Sequence, residues 1–367
     1  MEHEFTAQIK RILASQFGDL EAEIFQKSPL LQYLNIKTRS ATRGAKARSS
    51  FANLYAVYVL VEDYLQNGFD QKVGYVDYAG ARFTDLLQRQ RELPFGNRLQ
   101  NHALNSRMNE EFRRYFPEVE FIPILRDLKT NRYWINENLL VINIGRRRHN
   151  IAPAVIEIID SYVATKRSAF EQFLQTIEHL KNLAGENDPT IENFILELLA
   201  PNADARIFEI VSYAILKYYF HNQITYFGTT LGNIHPENLK LYKTGRTNAN
   251  DGGIDFVMRP LGRFFQVTET LDFRKYFLDI DKIERYPISF VIKSEADVEE
   301  LTRRLWEGAT RLYSVKTIVE RYMDCIEEII NIPILKLYFR EAAAQGFLKN
   351  ILDEIVLQSR IEFNYEV

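Results

Sequence analysis

The sequence is poor in cysteine, lacks long apolar runs and shows no strong excess of either charge. Its one cysteine, Cys325, excludes a disulfide framework and is typical of a reducing compartment. No window reaches the about 18 uninterrupted apolar residues that a transmembrane helix needs, and the N-terminus lacks the apolar core of a signal peptide. The net charge of −3 excludes an overwhelmingly basic nucleic-acid coat. We therefore expect a cytoplasmic protein without a membrane partner.

Several common catalytic motifs are also missing. The sequence has no Walker loop, no Gly-x-Ser-x-Gly elbow, no His-Glu-x-x-His helix and no glycine-rich dinucleotide motif. We therefore expect no nucleotide cofactor, and a serine hydrolase is disfavoured.

What the sequence contains is the composition of an ordinary globular protein, with 46% hydrophobic and 26% charged residues among 367. A single core seldom grows beyond about 250 to 300 residues, so two domains are expected. Helical spacing predicts helices near 4–16, 51–66, 81–92 and 153–184. Residues 133–144 have a strand pattern, and the helix-stopping stretch 185-GENDP-189 indicates a boundary. This predicts a mainly helical domain at 1–188 and a second domain at 189–367.

The second half shows a different order of elements. Its patterns predict helices near 190–200 and 204–219, strands near 254–259, 263–269 and 287–294, and helices near 296–312, 315–330 and 340–358. This order predicts an α+β or α/β fold with a central mixed sheet flanked by helices. Cys325 lies in an apolar helical pattern and is expected to be a buried structural thiol.

An acidic residue, Asp255, lies inside an otherwise apolar strand pattern. A hairpin turn centred on Pro260 and Leu261 places Asp255 opposite Gln266, with Thr268 two residues further along the same strand face. A buried carboxylate is costly unless a cation accompanies it. The pattern therefore predicts a polar site on the sheet.

The arrangement of Asp255, Gln266 and Thr268 resembles the active-site signature of the PD-(D/E)XK nuclease superfamily. In that superfamily an Asp on one strand and a Glu, Asp or Gln on the next hold a divalent metal ion. An upstream helix carries a Glu, and Glu209 has the matching position. The sequence DGGIDFV…FFQVTE looks most like that of type II restriction endonucleases, with the ApaLI-like family as a closer candidate. The resemblance covers roughly residues 204–294 and implies Mg²⁺ as the cofactor.

One position departs from the superfamily pattern. Where a Lys is expected two residues after the second ligand, the chain has Thr268, which carries no charge and is a poor acid or base near neutrality. Lys275 or Lys293 could supply the missing cation, or the metal alone could activate its bound water. A further alternative is that cleavage has been lost.

Two of the acids also have a plain structural interpretation. Asp255 could cap a turn. Glu209 could be a helix-face acid that pairs with Arg206 or Lys217. Neither alternative requires a metal ion.

Cationic residues cluster in two stretches of the first half, 37-KTRSATRGAKARSS-50 and 146-RRRH-149. Such stretches can bind DNA phosphates or can be solvated surface. Asn248 and Asn250 flank the hairpin and could contact bases or form a turn. The candidate DNA-binding residues are Lys37, Arg39, Arg43, Lys46, Arg48, Arg146, Arg147, Arg148, Asn248 and Asn250.

The resemblance implies a Mg²⁺-dependent type II restriction endonuclease that hydrolyses double-stranded DNA. Cutting both strands of a palindromic site favours a homodimer, with the C-terminal helices 315–330 and 340–358 as a possible interface. The alternative, favoured by Thr268, is a nuclease-fold protein that binds DNA without cleaving it. A third interpretation is a scaffold in which Asp255 is structural.

Overall fold

The computed structural model describes residues 2–39, 47–97, 99–183, 189–244, 254–269 and 273–363. It divides into two compact units, Met1–Phe173 and Leu174–Val367. The division falls inside a long helix, whereas the sequence pattern placed the boundary after that helix. In the described part of the chain, no helix is both long and apolar enough to cross a membrane.

The first unit is mainly helical, as predicted, and also contains two small sheets. Its elements are α1 (Thr6–Phe17), α2 (Glu21–Lys27), α3 (Pro29–Thr38), α4 (Ala47–Gln66), β1 (Ala81–Arg82), α5 (Phe83–Glu92), α6 (Met108–Tyr115), β2 (Ile124–Asp127), β3 (Arg132–Ile135), β4 (Val141–Ile144), β5 (Arg147–Asn150) and the start of α7 (Ala152–Leu183). Three strands pair in the order β1-β3-β2, and β4 pairs with β5. The single strand predicted at 133–144 is therefore divided into β3 and β4, which belong to separate sheets. They are separated by a short turn that begins where Asn136 accepts the N–H of Asn138.

The second unit contains the larger sheet. After α7 its elements are α8 (Pro189–Leu198), α9 (Ala205–Tyr219), β6 (Ile224–Phe227), β7 (His235–Asn238), β8 (Lys240–Lys243), β9 (Phe256–Arg259), β10 (Arg263–Thr268), α10 (Phe273–Lys282), β11 (Ile288–Ile292), α11 (Val298–Leu312), α12 (Lys316–Met323), β12 (Ile326–Ile330), α13 (Ile332–Ala344) and α14 (Leu348–Phe363). β6 and β7 form a separate two-stranded hairpin.

The predicted mixed sheet is present and has five strands in the order β12-β11-β10-β9-β8. β10, β11 and β12 are parallel, whereas β8 and β9 are antiparallel to their neighbours. Phe256 lies opposite Phe265, so the register of the β9–β10 hairpin agrees with the prediction. Its turn closes where Gly262 (φ 68°) donates its N–H to the carbonyl of Met258, a backbone conformation that glycine adopts without strain.

Helices cover both faces of this sheet. On one face, Tyr276 and Phe277 of α10 pack with Phe290 of β11 and with residues of α11 in one buried cluster. On the other face, α9 places Tyr213 against Phe256, with ring centroids 5.2 Å apart. Every residue of β11 is buried, as expected for a strand between two helical layers.

Two predicted helices near the C-terminus are different in the structure. The pattern at 315–330 is the helix α12 followed by the strand β12, which pairs with β11. A short apolar run such as Ile326–Ile330 fits either a helix or a strand. It forms a strand here because it pairs with the fully buried β11. The predicted helix at 340–358 is divided between α13 and α14 at Gly346, whose φ is 88°. Strands β6, β7 and β8 were not predicted.

Cys325 lies between α12 and β12 and not inside a helix. The prediction that its thiol is buried is confirmed, since the residue is 8% exposed. The sulfur is in hydrogen-bonding distance of the carbonyl oxygens of Arg321 and Arg285, and burial raises the pKa of the thiol.

We expect the start of α9 to depend on its N-cap residue, Asp204. Its carboxylate accepts the backbone N–H groups of Arg206 and Ile207, at 2.8 and 3.1 Å. Asp204→Ala should lower the free energy of unfolding by about 1 to 2 kcal/mol, because it leaves these donors without the cap. Urea denaturation measures the loss. Asp204→Asn is the control, since it keeps an accepting oxygen. Equal losses in both variants would mean that charge, and not capping, is responsible.

Candidate active site

Asp255 lies directly before β9, and its carboxylate takes part in the pairing with β10. Its backbone N–H donates to the carbonyl of Phe265 at 3.0 Å. Its Oδ2 accepts the backbone N–H of Val267 at 2.7 Å. The side chain thus takes the place of a backbone acceptor where the β9–β10 ladder ends. The residue is only 6% exposed.

Gln266 is buried and contacts the main chain of the same residue, Val267. Its Nε2 donates to the carbonyl of Val267 at 3.3 Å, and its Oε1 is buried with no hydrogen-bond partner among the described residues. Asp255 and Gln266 therefore meet at the main chain of Val267. An unpartnered buried carbonyl oxygen is unfavourable in the protein alone, by about 1 to 3 kcal/mol, and is a ready ligand for a cation.

Glu209 reaches this region from the first turns of α9. It accepts from Arg206 at 2.9 Å and from Lys243 at 3.0 Å. Lys243 lies on β8 directly opposite Phe256, the residue after Asp255. The pairing of Glu209 with Arg206 agrees with the structural alternative, whereas Lys217 pairs with Glu354.

The environment of Asp255 disfavours its charged form. Burial, and next the negative charge of Glu209, raise the pKa of Asp255 to about 7. The Val267 N–H and the cations Lys243 and Arg206 act in the opposite direction. The carboxylates of Asp255 and Glu209 repel one another when both are ionised. A bound cation would favour the ionised form of both.

Lys293 lies where β10 and β11 approach the start of α9. Its backbone N–H donates to the carbonyl of Thr268 at 2.9 Å. Its Nζ donates to Glu269 at 2.8 Å and to the carbonyl of Ala203, the residue before the N-cap of α9. Its side chain is 4% exposed. Lys275, in contrast, is exposed on α10. Of the two lysines, the structure therefore brings Lys293 close to the helix that carries Glu209.

Thr268 and Gln266 share the α10 side of the sheet, as predicted. Their neighbours on β11 are Ile292 and Phe290, and both of these belong to the buried cluster of α10 and β11. Burial raises the pKa of Tyr276, and the Thr268 hydroxyl offsets part of this shift. The structure thus separates the Thr268 side chain from Glu209 and directs it towards α10.

The donor atoms around Asp255 fit a hard cation with few protein ligands. They are the carboxylate oxygens of Asp255 and Glu209, and Gln266 contacts the main chain of Val267, the residue to which Asp255 is bonded. Mg²⁺ is commonly bound by one or two carboxylates together with water and substrate phosphate. Within the described ranges, no group of three or more His, Cys, Asp or Glu residues could hold a metal ion. A site here would therefore depend on the amide oxygen and on the substrate.

Of the cationic candidates in the stretch at 37–50, the structure describes the side chains of Lys37 and Arg39. Lys37 pairs with Glu111 at 2.7 Å, and its side chain is only 10% exposed. Arg39 is exposed. The remaining candidates of this stretch and of the site hairpin lie outside the described residues or side chains. They are Arg43, Lys46, Arg48, Asn248 and Asn250.

The stretch at 146–149 is at the tip of the β4–β5 hairpin. Arg146, Arg147 and Arg148 are all exposed, and the turn is completed by Gly145 at φ 58°. Their guanidinium groups have the exposure that phosphate binding requires.

Two charged residues of the site, Lys243 and Glu269, were not singled out from the sequence, whereas Arg206 was named there as a possible partner of Glu209. Lys243 belongs to β8, a strand that was not predicted. Glu269 directly follows Thr268 at the end of β10, and its carboxylate forms an ion pair with Lys293 at the end of the neighbouring β11. Arg206 also approaches Glu362 of α14, at 3.5 Å. Only the last of these has a local signal, since Arg206 precedes Glu209 by three positions on a helix.

Comparisons with protein-family models, with curated proteins and with solved structures found no match to this chain.

We expect Lys37 to act in stability and not in DNA binding. Glu111 also accepts from Asn53 at 2.7 Å, so Lys37→Met leaves a partly buried carboxylate without its cation. The free energy of unfolding should fall by about 2 to 3 kcal/mol, with unchanged DNA affinity. Arg147→Met is the matched control, since its exposed side chain should affect affinity and not stability. A Lys37 variant of normal stability but weakened DNA binding would contradict this assignment.

We expect the raised pKa of Asp255 to lower the free energy of unfolding as pH rises. An acid whose pKa is raised on folding stabilises the folded state fully below its unfolded pKa, near 3.8, and loses that contribution as pH rises through about 7. Asp255→Asn cannot ionise. Its stability relative to the wild type should therefore increase by about 2 to 3 kcal/mol between pH 5 and pH 8.

Urea denaturation at both pH values measures this difference. Asp297→Asn is the control, because Asp297 is an exposed carboxylate that also caps a helix. A difference between wild type and Asp255→Asn that does not change with pH would show that Asp255 has no raised pKa.

Proposed function

We propose that this protein is a Mg²⁺-dependent type II restriction endonuclease that hydrolyses phosphodiester bonds in double-stranded DNA. The observation that carries the proposal is the interaction of the buried Asp255 with the partly buried Glu209. Burial and the charge of Glu209 raise the pKa of Asp255 to about 7, and Gln266 contacts the carbonyl of Val267, whose N–H the Asp255 carboxylate accepts. Such a site is unfavourable in the protein alone and favourable with a cation.

The order of elements supports the same proposal. Glu209 lies on a helix that precedes the β9–β10 hairpin, Asp255 lies directly before β9, and Gln266 lies within the neighbouring β10 of the mixed sheet. The nuclease resemblance implies this order of a helix acid, a first strand ligand and a second strand ligand. The residues and the sheet are therefore consistent with each other.

A bound Mg²⁺ would lower the pKa of its water and offset negative charge on the phosphate and on the leaving oxygen. Asp255, Glu209 and Gln266 are the residues that would hold it. Asp255 must be ionised to do so, which its pKa near 7 permits at neutral pH and above. Arg206 and Lys243 would orient Glu209 through their ion pairs.

Lys293 is our candidate for the cation that Thr268 does not supply. Its Nζ is held by Glu269 and by the carbonyl of Ala203. Exchange of the Glu269 carboxylate for a phosphate oxygen would place a buried ammonium group against the substrate, where its charge is only weakly screened. DNA would be positioned by exposed cations, of which Arg146, Arg147 and Arg148 are described.

A second candidate function is DNA binding without cleavage. Three observations favour it. Asp255 has a structural partner in the N–H of Val267, Glu209 has two cationic partners, and Thr268 lies on the α10 side of the sheet. These side chains are satisfied without a metal ion, apart from the amide oxygen of Gln266.

Plasmid digestion tests the first function against the second. Wild type in millimolar Mg²⁺ should give discrete fragments, and EDTA should abolish them. Asp255→Asn, Glu209→Gln and Lys293→Met should each reduce the rate at least about 100-fold. Lys275→Met is the matched control for Lys293→Met. It removes the same group from an exposed helix position and should cleave normally.

Two results would contradict the nuclease proposal. Wild type that leaves several unmethylated genomes intact, yet shifts DNA on a gel in a salt-dependent way, would establish the binding function instead. Cleavage that survives in Asp255→Asn would show that the active site lies elsewhere.

A further inference from the structure

The β6–β7 hairpin projects from the second unit with most of its side chains exposed. Ile224 is 60% exposed and Tyr226 is 74% exposed, and Leu231 in the connecting loop is 93% exposed. In the described part of the chain, β6 and β7 pair only with one another. An isolated two-stranded hairpin is at best marginally stable in water.

The hydrogen-bond pattern shows which edge of this hairpin is open. Leu239 donates its N–H to the carbonyl of Gln223 at 2.9 Å. Since hydrogen-bonded pairs alternate along an antiparallel ladder, Thr225 and Glu237 form the next such pair. The pairs on either side, Ile224 with Asn238 and Tyr226 with Pro236, direct their main-chain groups outwards.

The two outer edges therefore differ. On β7, one of the outward positions is Pro236, which has no N–H, and a proline at this position prevents regular pairing. On β6, both Ile224 and Tyr226 direct an N–H and a carbonyl outwards. The side chains of these two residues also lie on one face of the hairpin. β6 is thus the open edge of the hairpin. The face of β6 that carries Ile224 and Tyr226 is apolar.

The charge of the hairpin argues against nucleic acid as the partner of this edge. No Lys or Arg occurs between Lys217 and Lys240, and β6 (Ile224–Phe227) has no charged residue. Phosphate binding requires cations. An uncharged edge can approach an identical edge without repulsion.

We propose that β6 pairs with β6 of a second copy of this chain, antiparallel and across a two-fold axis at Thr225. Ile224 then lies opposite Tyr226 of the second copy, and Tyr226 opposite its Ile224. The outward N–H and carbonyl groups of both residues find partners, and two Ile–Tyr pairs form on one face. The same surface on both copies makes a closed dimer.

The arrangement makes Thr225 a specific reporter. Thr225 faces Thr225 of the second copy as a non-hydrogen-bonded pair, with Cα atoms about 4.5 Å apart. This separation suits a disulfide. Thr225→Cys should form a cross-linked dimer under mild oxidation of the full chain. Thr229→Cys, in the hairpin loop, is the matched control and should stay monomeric on a denaturing gel, because Cys325 is buried.

Sedimentation equilibrium of the reduced protein provides the second readout. Wild type should associate to a dimer, and Tyr226→Lys should raise the dissociation constant at least about 10-fold, since it places like charges near the axis. Leu231→Lys removes an exposed apolar side chain away from the edge and should leave dimerisation unchanged.

Three results would overturn the proposal. They are a monomeric wild type, a dimer insensitive to Tyr226→Lys, and equal cross-linking of the Thr225 and Thr229 variants. The readout is association and not cleavage, so failure of the proposed nuclease function would not affect this test.

Discussion

The hydrogen bond from the Val267 N–H to the Asp255 carboxylate is the constraint on which the candidate site depends. It joins the end of β9 to β10 with a side chain where the main-chain ladder ends, and it keeps a carboxylate in a place with almost no water. The charge of Asp255 then becomes sensitive to Glu209 on α9. Because Gln266 donates to the carbonyl of the same Val267, both strand residues of the site contact the main chain of one residue.

Much of the second unit could be predicted because local patterns there agree with the sheet. The hairpin register follows from the turn at Pro260–Gly262, and α9 and α11 have clear helical spacing. The strands β6 and β7 have exposed side chains on both faces, so no burial pattern indicates them. The run Ile326–Ile330 fits a helix as well as a strand, and it forms a strand because it pairs with β11.

For the site, strand alternation correctly predicted the neighbours of Phe256 but not the surroundings of Asp255. The rule places Asp255, Gln266 and Thr268 on one side of a regular ladder. The N–H of Asp255 bonds Phe265 and its carboxylate bonds Val267, so the ladder is no longer regular at this residue. Lys243 and Glu269 could not be predicted, since their roles arise from contacts between distant segments.

The unpartnered amide oxygen of Gln266 also bears on how such a sequence can change over time. In the protein alone this oxygen is unfavourable, so folding would not oppose its removal. Asp255 differs, because loss of its carboxylate would leave the buried N–H of Val267 without an acceptor. Persistence of the Gln266 amide among descendants of this chain would therefore indicate a bound ligand.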